Sequence, residues 1–377
     1  MKSAPTIKLF LDAHVFDGEF QGSRTFVKEL YNILLKKEDL ELYIGAYDIN
    51  NLKKYFPEAK NVFFIKFKNQ SSTLRLLFDI PQAIKKYKVQ YAHFQYMVPL
   101  VKNCKFIVTT HDVLFNEYPE EFSFWYRISK NFLYRIAAKK ADILTTGSEY
   151  SNRSIQKYLH IPKKKINVIS LGINTIYFEP YSSAEAKHFI KKKYNFEKYI
   201  LFVSRREPRK NHLLLLKAYQ DLKLHEKGYH LVFIGHESTS TPAFDALYNS
   251  LPENMLPFIV FFDKIEDEEL LMFYRASAVF VYPSKAEGFG FPPLEAGALK
   301  IPVLCSNSSA LSDFSFFGKN HINPADYDSF KKMLSDVLMN QPDDNFLTAV
   351  AETIQQNYCW QKTADQFYQL LKQNNTP

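Results

Sequence analysis

Two glutamates, Glu287 and Glu295, frame the stretch whose residue types could do chemistry: Glu287-Gly288-Phe289-Gly290-Phe291-Pro292-Pro293-Leu294-Glu295, preceded by Tyr282-Pro283-Ser284. The apolar run Ala278-Val279-Phe280-Val281 before it reads as a buried parallel strand, and Pro292 and Pro293 open a helix. The stretch is therefore expected at the C-terminal end of a strand. Open α/β sheets bind ligands there, because the amides of the following helix N-terminus carry partial positive charge. Gly288 and Gly290 lack a Cβ, so the backbone can take unusual angles and approach a bound group. One carboxylate on the loop and one in the early helix can each accept hydrogen bonds from vicinal hydroxyls, which sugars and ribose offer. A helix N-terminus also favours a glutamate with no ligand at all, so the spacing alone leaves a purely structural reading open.

A second cluster, Arg205-Arg206-Glu207-Pro208-Arg209-Lys210-Asn211, follows the apolar strand Tyr199 to Val203 and precedes a helix carrying Leu213 to Ala218. This places Arg205 and Lys210 at a strand end, where Arg can grip phosphate oxygens bidentately and Lys acts as a point charge. Their effect would be greatest as a leaving diphosphate gains negative charge. The plainer alternative is a basic loop neutralised by Glu207 or Asp221. Near the N-terminus, Gly18-Glu19-Phe20-Gln21-Gly22-Ser23-Arg24 follows Asp12-Ala13-His14 and precedes a helix, a turn that suits close approach to a phosphate. No G-x-G-x-x-G is present, which argues against a dinucleotide-dependent dehydrogenase. His111-Asp112 ends another strand, where an imidazole can donate to a substrate hydroxyl or serve the fold alone. Ser148 and Ser151 in Thr146-Gly147-Ser148-Glu149-Tyr150-Ser151 are placed to cap a helix.

The elements that must position these groups alternate. Ile7 to Leu11, Leu40 to Ala46, Val62 to Phe67, Val89 to Phe94, Phe106 to Thr110, Asp142 to Thr146 and Ile166 to Ser170 read as strands. Amphipathic stretches such as Thr25 to Lys37 and Phe122 to Lys139 fit helices between them. A polar, Lys-rich stretch around Pro180 to Lys193 interrupts the pattern, which restarts with Tyr199 to Val203, His230 to Ile234, Phe258 to Phe262, Ala278 to Tyr282 and Pro302 to Cys305. Alternation of this kind implies parallel sheets covered by helices on both faces, and 377 residues are long for one core. Two doubly wound domains are expected, spanning 1–180 and 195–355, with 356–377 as a closing segment.

No apolar run approaches the roughly 20 residues that span a bilayer, and Ile7 to Asp12 is too short and too soon charged for a signal peptide. The three scattered cysteines, Cys104, Cys305 and Cys359, argue against a disulfide framework or zinc site and for a reducing cytoplasm. Charge is uneven: residues 1–172 carry 27 Lys and Arg against 16 Asp and Glu, and residues 173–377 carry 21 against 24. The strongest basic segment is 51–100, which includes Lys66, Lys68, Arg75, Lys85, Lys86 and Lys88. It is read either as an ordinary solvated face or as a surface for anionic lipid headgroups or a phosphate-bearing acceptor. Nucleic acid is not expected as a partner, because no reader motif accompanies the charge.

Glu287 to Glu295 resembles the E-x7-E motif of retaining glycosyltransferases with the GT-B fold, in family 4, and the resemblance runs from about residue 5 to 370. Arg205 to Lys210 resembles that family's G-R-x4-K diphosphate clamp, with Ser204 where the family has Gly. Thr109-Thr110-His111-Asp112 resembles its T-x-H-D segment, only Gly22 carries over from its glycine-rich loop, and the segment from Cys359 resembles its closing segment. Lys300 and Ser312-Asp313 also depart from its pattern. The resemblance implies two Rossmann-like domains facing each other across a cleft, with a C-terminal helix crossing back to the first. It implies a metal-independent, retaining transfer of sugar from a nucleotide-sugar to a glycan or lipid-linked acceptor in polysaccharide biosynthesis, with a lean towards mannosyl transfer. No cofactor is expected. In this reading His111, Arg205, Lys210 and Glu287 serve the reaction, and Gly22, Ser284, Gly288, Phe289, Gly290, Leu294 and Glu295 hold the substrate. The enzyme would work in the cytoplasm, peripherally at the inner face of the plasma membrane if the basic segment meets lipid. A nucleotide-sugar epimerase or hydrolase on the same fold, or a non-catalytic binding subunit, are the alternatives.

Overall fold

The computed structural model describes residues 6–18 and 22–374, and the chain divides into two compact units: Met1–Gly172 with Trp360–Pro377, and Ile173–Cys359. Unit 1 is a seven-stranded sheet of β1 (Ile7–Asp12), β2 (Leu40–Ala46), β3 (Val62–Lys66), β4 (Tyr91–Gln95), β5 (Lys105–Thr109), β6 (Ile143–Thr146) and β7 (Ile166–Val168). The order is β3-β2-β1-β4-β5-β6-β7, with every pairing parallel. Side chains alternate between its faces, as strand geometry requires. Phe10, Ala92, Phe94 and Phe106 meet Ile80, Ala83 and Ile84 of the Ile80–Tyr87 helix. On the same face Val108 and Leu144 meet Tyr134, Ala137 and Ala138 of the Phe124–Lys140 helix and Ile155 of the Glu149–Leu159 helix.

The opposite face is covered by the Gly22–Leu34 and Trp360–Asn374 helices, which pack on each other. Trp360, Ala364, Phe367 and Leu371 are buried here, with the Phe367 ring 5.0 Å from that of His93. Thr363 Oγ1 donates to the Ser170 carbonyl at 2.6 Å, and Tyr368 donates to the Asp39 carboxylate.

Unit 2 is a six-stranded parallel sheet of β8 (Tyr199–Val203), β9 (His230–Ile234), β10 (Ile259–Phe262), β11 (Val279–Tyr282), β12 (Val303–Ser306) and β13 (His321–Ile322), ordered β10-β9-β8-β11-β12-β13. The Lys-rich stretch expected as a break contains the Ser183–Tyr194 helix of this unit. Ser182 caps it by accepting from the Glu185 amide at 3.2 Å, and Ala186 and Ile190 are buried where it packs on the Asp267–Ala276 helix. Ile173 and Cys359 form a parallel bridge at the unit's two ends. Among the described residues no helix is long and apolar enough to cross a membrane, and no disulfide joins the cysteines.

Candidate active site

Strand order in unit 2 reverses between β8 and β11, which are direct neighbours. At such a switch point the loops leaving the two strands part around a crevice at their carboxyl ends. Those loops carry the two clusters singled out in the sequence, and this adjacency brings together residues 77 positions apart. Lys210 Nζ donates to both carboxylate oxygens of Glu287, at 2.6 and 2.8 Å. Arg209 Nη1 donates to the Ala286 carbonyl at 2.8 Å and lies 3.4 Å from Glu287 Oε2, while its Nη2 is 2.7 Å from Glu207 Oε2. Arg205 Nη2 reaches Glu207 Oε1 at 3.1 Å, with its side chain 47% exposed. The result is a row of three cations and two carboxylates with a surplus positive charge, closed at the Lys210 end and open to solvent at the Arg205 end.

Electrostatics fit that row. Burial alone would raise the Glu287 carboxyl, but Lys210 and Arg209 outweigh it and hold the group below its ordinary value. Burial likewise opposes ionisation of Glu207, and Arg209, Arg205 and Lys210 together overcome it. Burial lowers Lys210 despite the attraction of Glu287.

Glu295, in the Phe291–Ala298 helix, sits in a different environment. Its Oε2 accepts from Tyr274 Oη at 2.9 Å and it also bonds Tyr177, and among the described residues no cation contributes to its shift. Burial, reinforced by the negative charge of Asp267, pushes its carboxyl up to about 7 against the pull of the two tyrosines. The two glutamates of one motif thus have opposite electrostatic characters: one is locked in an ion-pair network, and the other is balanced between its protonation states at neutral pH.

Gly290 is the glycine of this loop with a left-handed backbone, φ 114, and a Cβ there would stand 2.4 Å from Leu311 Cδ2. Phe289 packs against Phe291, Phe314 and Tyr358. Glu287 is anchored by its own backbone, its amide donating to Ser309 Oγ at 2.7 Å. Ser284 is fully buried and its hydroxyl faces the Arg209 and Ala286 carbonyls, which holds the two loops together. Leu294 is also fully buried, a core residue of the helix. Furthermore, Pro292 and Pro293 have no amide hydrogen, which thins the anion-binding potential of that helix start.

Glu207 pairs with Arg205 and Arg209, as the plainer reading of a neutralised basic loop expected, whereas sequence reasoning missed Arg209, because only Arg205 and Lys210 stood at the expected spacing. The signal was the unbroken run of charge from Arg205 to Lys210. Ser204 needs no glycine because its φ is not positive; its backbone instead runs close to Gly235, at φ 135, where a Cβ would lie 2.3 Å from the Ser204 carbonyl oxygen. The loop is then pinned by Ser204 N to the Ile234 carbonyl and Arg206 N to the His236 carbonyl, each at 2.9 Å.

Within unit 1, the switch point lies between β1 and β4, and β5 runs beside β4. His111 follows β5, with Nε2 3.4 Å from Gln95 Oε1 and its ring edge-on to Phe26 and Tyr96. Burial lowers its pKa to about 4, so the imidazole is neutral and can exchange hydrogen bonds without carrying charge. Gly22 starts the Gly22–Leu34 helix, and the turn before it is gripped by Arg24, which donates to the Val15 carbonyl at 3.0 Å and to that of Gly18. Glu19, Phe20 and Gln21 of the expected glycine loop lie outside the described residues. Among the described residues no group of three or more His, Cys, Asp or Glu side chains is placed to hold a metal ion.

The chain is similar to known proteins along most of its length. Residues 183–353 match the family described as Glycosyl transferases group 1, and residues 21–177 match Glycosyltransferase Family 4. The chain is 27% identical over 348 residues to the O-antigen chain mannosyltransferase B of Escherichia coli, covering 87% of this chain and 89% of that protein. Its fold is similar to that of a sucrose-phosphate synthase from Thermosynechococcus elongatus, at 18% identity, with a TM-score of 0.77 and 98% of each chain covered. It is also similar to HepE of Anabaena in complex with UDP and glucose, at 14% identity and a TM-score of 0.74, covering 97% of this chain and 99% of that one.

Proposed function

Because this chain is a group 1 glycosyltransferase of the GT-B fold, we propose that it works in polysaccharide biosynthesis, transferring a hexose, mannose foremost, from a nucleotide-sugar to a glycan or lipid-linked acceptor, with retention and without a metal. The observation that carries the reading is the row Arg205–Glu207–Arg209–Glu287–Lys210 at the β8/β11 switch point. Its surplus positive charge is where a leaving diphosphate needs compensation, a task that a divalent ion performs in other enzymes. Lys210 gives two of its three protons to Glu287. The third has Tyr282 Oη at 3.4 Å, a long contact, and is the one a phosphate oxygen can take. Arg205, at the open end, can swing from Glu207 to the outer phosphate.

Glu295 would hold the ribose hydroxyls, and Glu287 with the Phe289-Gly290 backbone would hold the donor sugar. Neutral His111 and the Gly22 helix start would serve the reaction. Retention follows if the acceptor attacks the face from which the diphosphate leaves, its proton passing to the departing phosphate oxygen. No side-chain nucleophile is needed. The UDP bound by HepE and the mannosyl transfer named for the Escherichia coli relative support a nucleotide-sugar donor and a mannosyl group.

The test is transfer from GDP-mannose and other nucleotide-sugars after exhaustive EDTA treatment, with the product anomer read by NMR. Undiminished transfer with retained configuration is expected. Loss in chelator that manganese or magnesium restores, or an inverted product, refutes the respective part of the proposal. Freed or isomerised sugar with no transfer would point to a hydrolase or epimerase.

A further inference from the structure

The Phe124–Lys140 helix of unit 1 has two apolar sides. One, made by Tyr134, Ala137 and Ala138, is buried in the core. The other, on the opposite side of the helical period, presents Trp125, Ile128 and Phe132, exposed by 77, 47 and 66%. Phe124 extends it at 62% exposed. A solvent-facing helix side ordinarily carries polar groups, and a contiguous apolar stripe of this size marks an interaction surface.

Its electrostatic surroundings are one-sided. From Phe122 to Ala141 there is no Asp or Glu; Arg135 and Lys139 are exposed beside the stripe, Lys140 lies at the helix end, and Arg127 and Lys130 lie nearer the core-facing side, partly exposed. Lys165 Nζ donates to the Lys139 carbonyl at 2.6 Å, which brings the Lys163–Lys165 turn against the end of the helix. Lys140 Nζ donates to the Leu100 carbonyl at 2.5 Å, adding the exposed Leu100 and Val101 to the patch. In sequence the nearest acids are Glu120 and Glu121 before the helix and Asp142 after it, the last paired with Lys102 at 2.7 Å, while Asp112 acts on Tyr126 and Tyr134 from just after β5. The basic 80–87 helix covers the same sheet face, Val98 packing against the cores beneath both helices, and Leu74, Leu77 and Phe78 near its start are exposed as well.

We propose that this outward face is where the protein lies on an anionic membrane surface, with Trp125, Ile128 and Phe132 entering the boundary between headgroups and acyl chains and the basic residues meeting lipid phosphates. Aromatic residues on one face with Lys and Arg around them are the composition that binds in the interfacial plane. A second copy of the chain is a poor occupant, since a two-fold contact would set this acid-free basic helix against itself. The docking rests on the helix alone. Its use rests on the proposed lipid-linked acceptor: Tyr134 of this helix stacks on Tyr96 with ring centres 4.8 Å apart, and Tyr96 lies against His111 at 5.5 Å. An acceptor held in the interface would thus lie near the reacting end of unit 1.

The test uses the full chain with phosphatidylcholine vesicles, with and without phosphatidylglycerol, at low and physiological salt. The protein has two tryptophans and Trp360 is only 5% exposed, so a blue shift in emission reports Trp125. Expected are a blue shift and co-sedimentation with anionic vesicles, both weakened by salt, and a loss of vesicle affinity of at least about tenfold in Trp125→Ser/Phe132→Ser. That variant should keep its Tm and nucleotide affinity, because both side chains are exposed. Vesicle binding that ignores the double substitution overturns the proposal, as does an absence of binding at low salt. A dimer that the substitutions dissociate, without vesicle binding, would assign the face to a second copy instead. Vesicle binding by a protein that transfers no sugar would sink the proposed function and leave the docking surface standing.

Discussion

Replacing Glu287 by Gln removes the charge that the buried end of the cation row depends on. Lys210 is 7% exposed; in the variant it keeps an amide oxygen to donate to but loses the charge opposite it, and its contact to Tyr282 Oη is long, at 3.4 Å. Breaking a buried pair by deleting one partner costs about 3–5 kcal/mol, because the remaining charge stays desolvated. Arg209 keeps Glu207 at 2.7 Å, so the loss concentrates on Lys210. For a domain the size of unit 2, each kcal/mol moves the melting temperature by roughly 2–4 °C. Glu287→Gln should therefore lower the Tm of unit 2 by roughly 10 °C, followed by circular dichroism or scanning calorimetry. Adding Lys210→Met should recover most of it, since both buried charges are then gone. Assayed well below the new Tm, the single variant should lose turnover more than nucleotide affinity, because its ligand partner is the reacting sugar. A Tm within a degree or two of the parent, or a double variant as unstable as the two single changes summed, would refute the argument that this pair is energetically coupled.

Glu295 predicts a pH dependence of binding. Its carboxyl titrates at about 7 and the ionised form is the better acceptor for two ribose hydroxyls, so nucleotide affinity should fall as pH drops below that value, by up to roughly tenfold per unit. Calorimetric titration across that range should show the fall, Glu295→Gln should flatten it while weakening binding, and a flat parent profile would remove Glu295 from the ribose site. Gly290→Ala forces a side chain into φ 114 and against Leu311, which should cost roughly 1–3 kcal/mol in urea unfolding. An unchanged midpoint would mean that the loop relaxes freely.

Legibility in the sequence followed the physics of each element. The strands could be read because interior parallel strands are continuous apolar runs, such as Tyr199 to Val203 and Val279 to Tyr282, and their ends located both charged clusters. The bonding inside the site was not readable. Arg209 takes a central place because its Nη1 meets the Ala286 carbonyl, a contact made by β11 lying beside β8 and not by any spacing within the run. Ser284 and Leu294 are both fully buried, a packing role that the motif's spacing alone did not mark. The Ser183–Tyr194 helix was hidden by its lysines, although Ser182 and Glu185 stand at capping-box spacing. In the 124–140 helix, apolar residues on both sides blur the period, so nothing in the sequence marked which stripe faces outward.

The bridge between Ile173 and Cys359 makes unit 2 an uninterrupted insertion whose two ends meet, whereas the sheet of unit 1 must wait for the Trp360–Asn374 helix on the far side of that insertion. During synthesis unit 2 can close as soon as residue 359 has left the ribosome. Unit 1, though its strands emerge first, keeps the apolar side of its 22–34 helix and of β1 and β4 uncovered until Trp360, Phe367 and Leu371 arrive. Its folding is governed by contacts of very long sequence separation, such as Tyr368 to Asp39, 329 residues apart, which places it among slow-closing topologies. The nascent chain thus passes through a stage with a finished C-terminal unit and an open N-terminal one, and the half-covered sheet is the state that chaperones would have to shield.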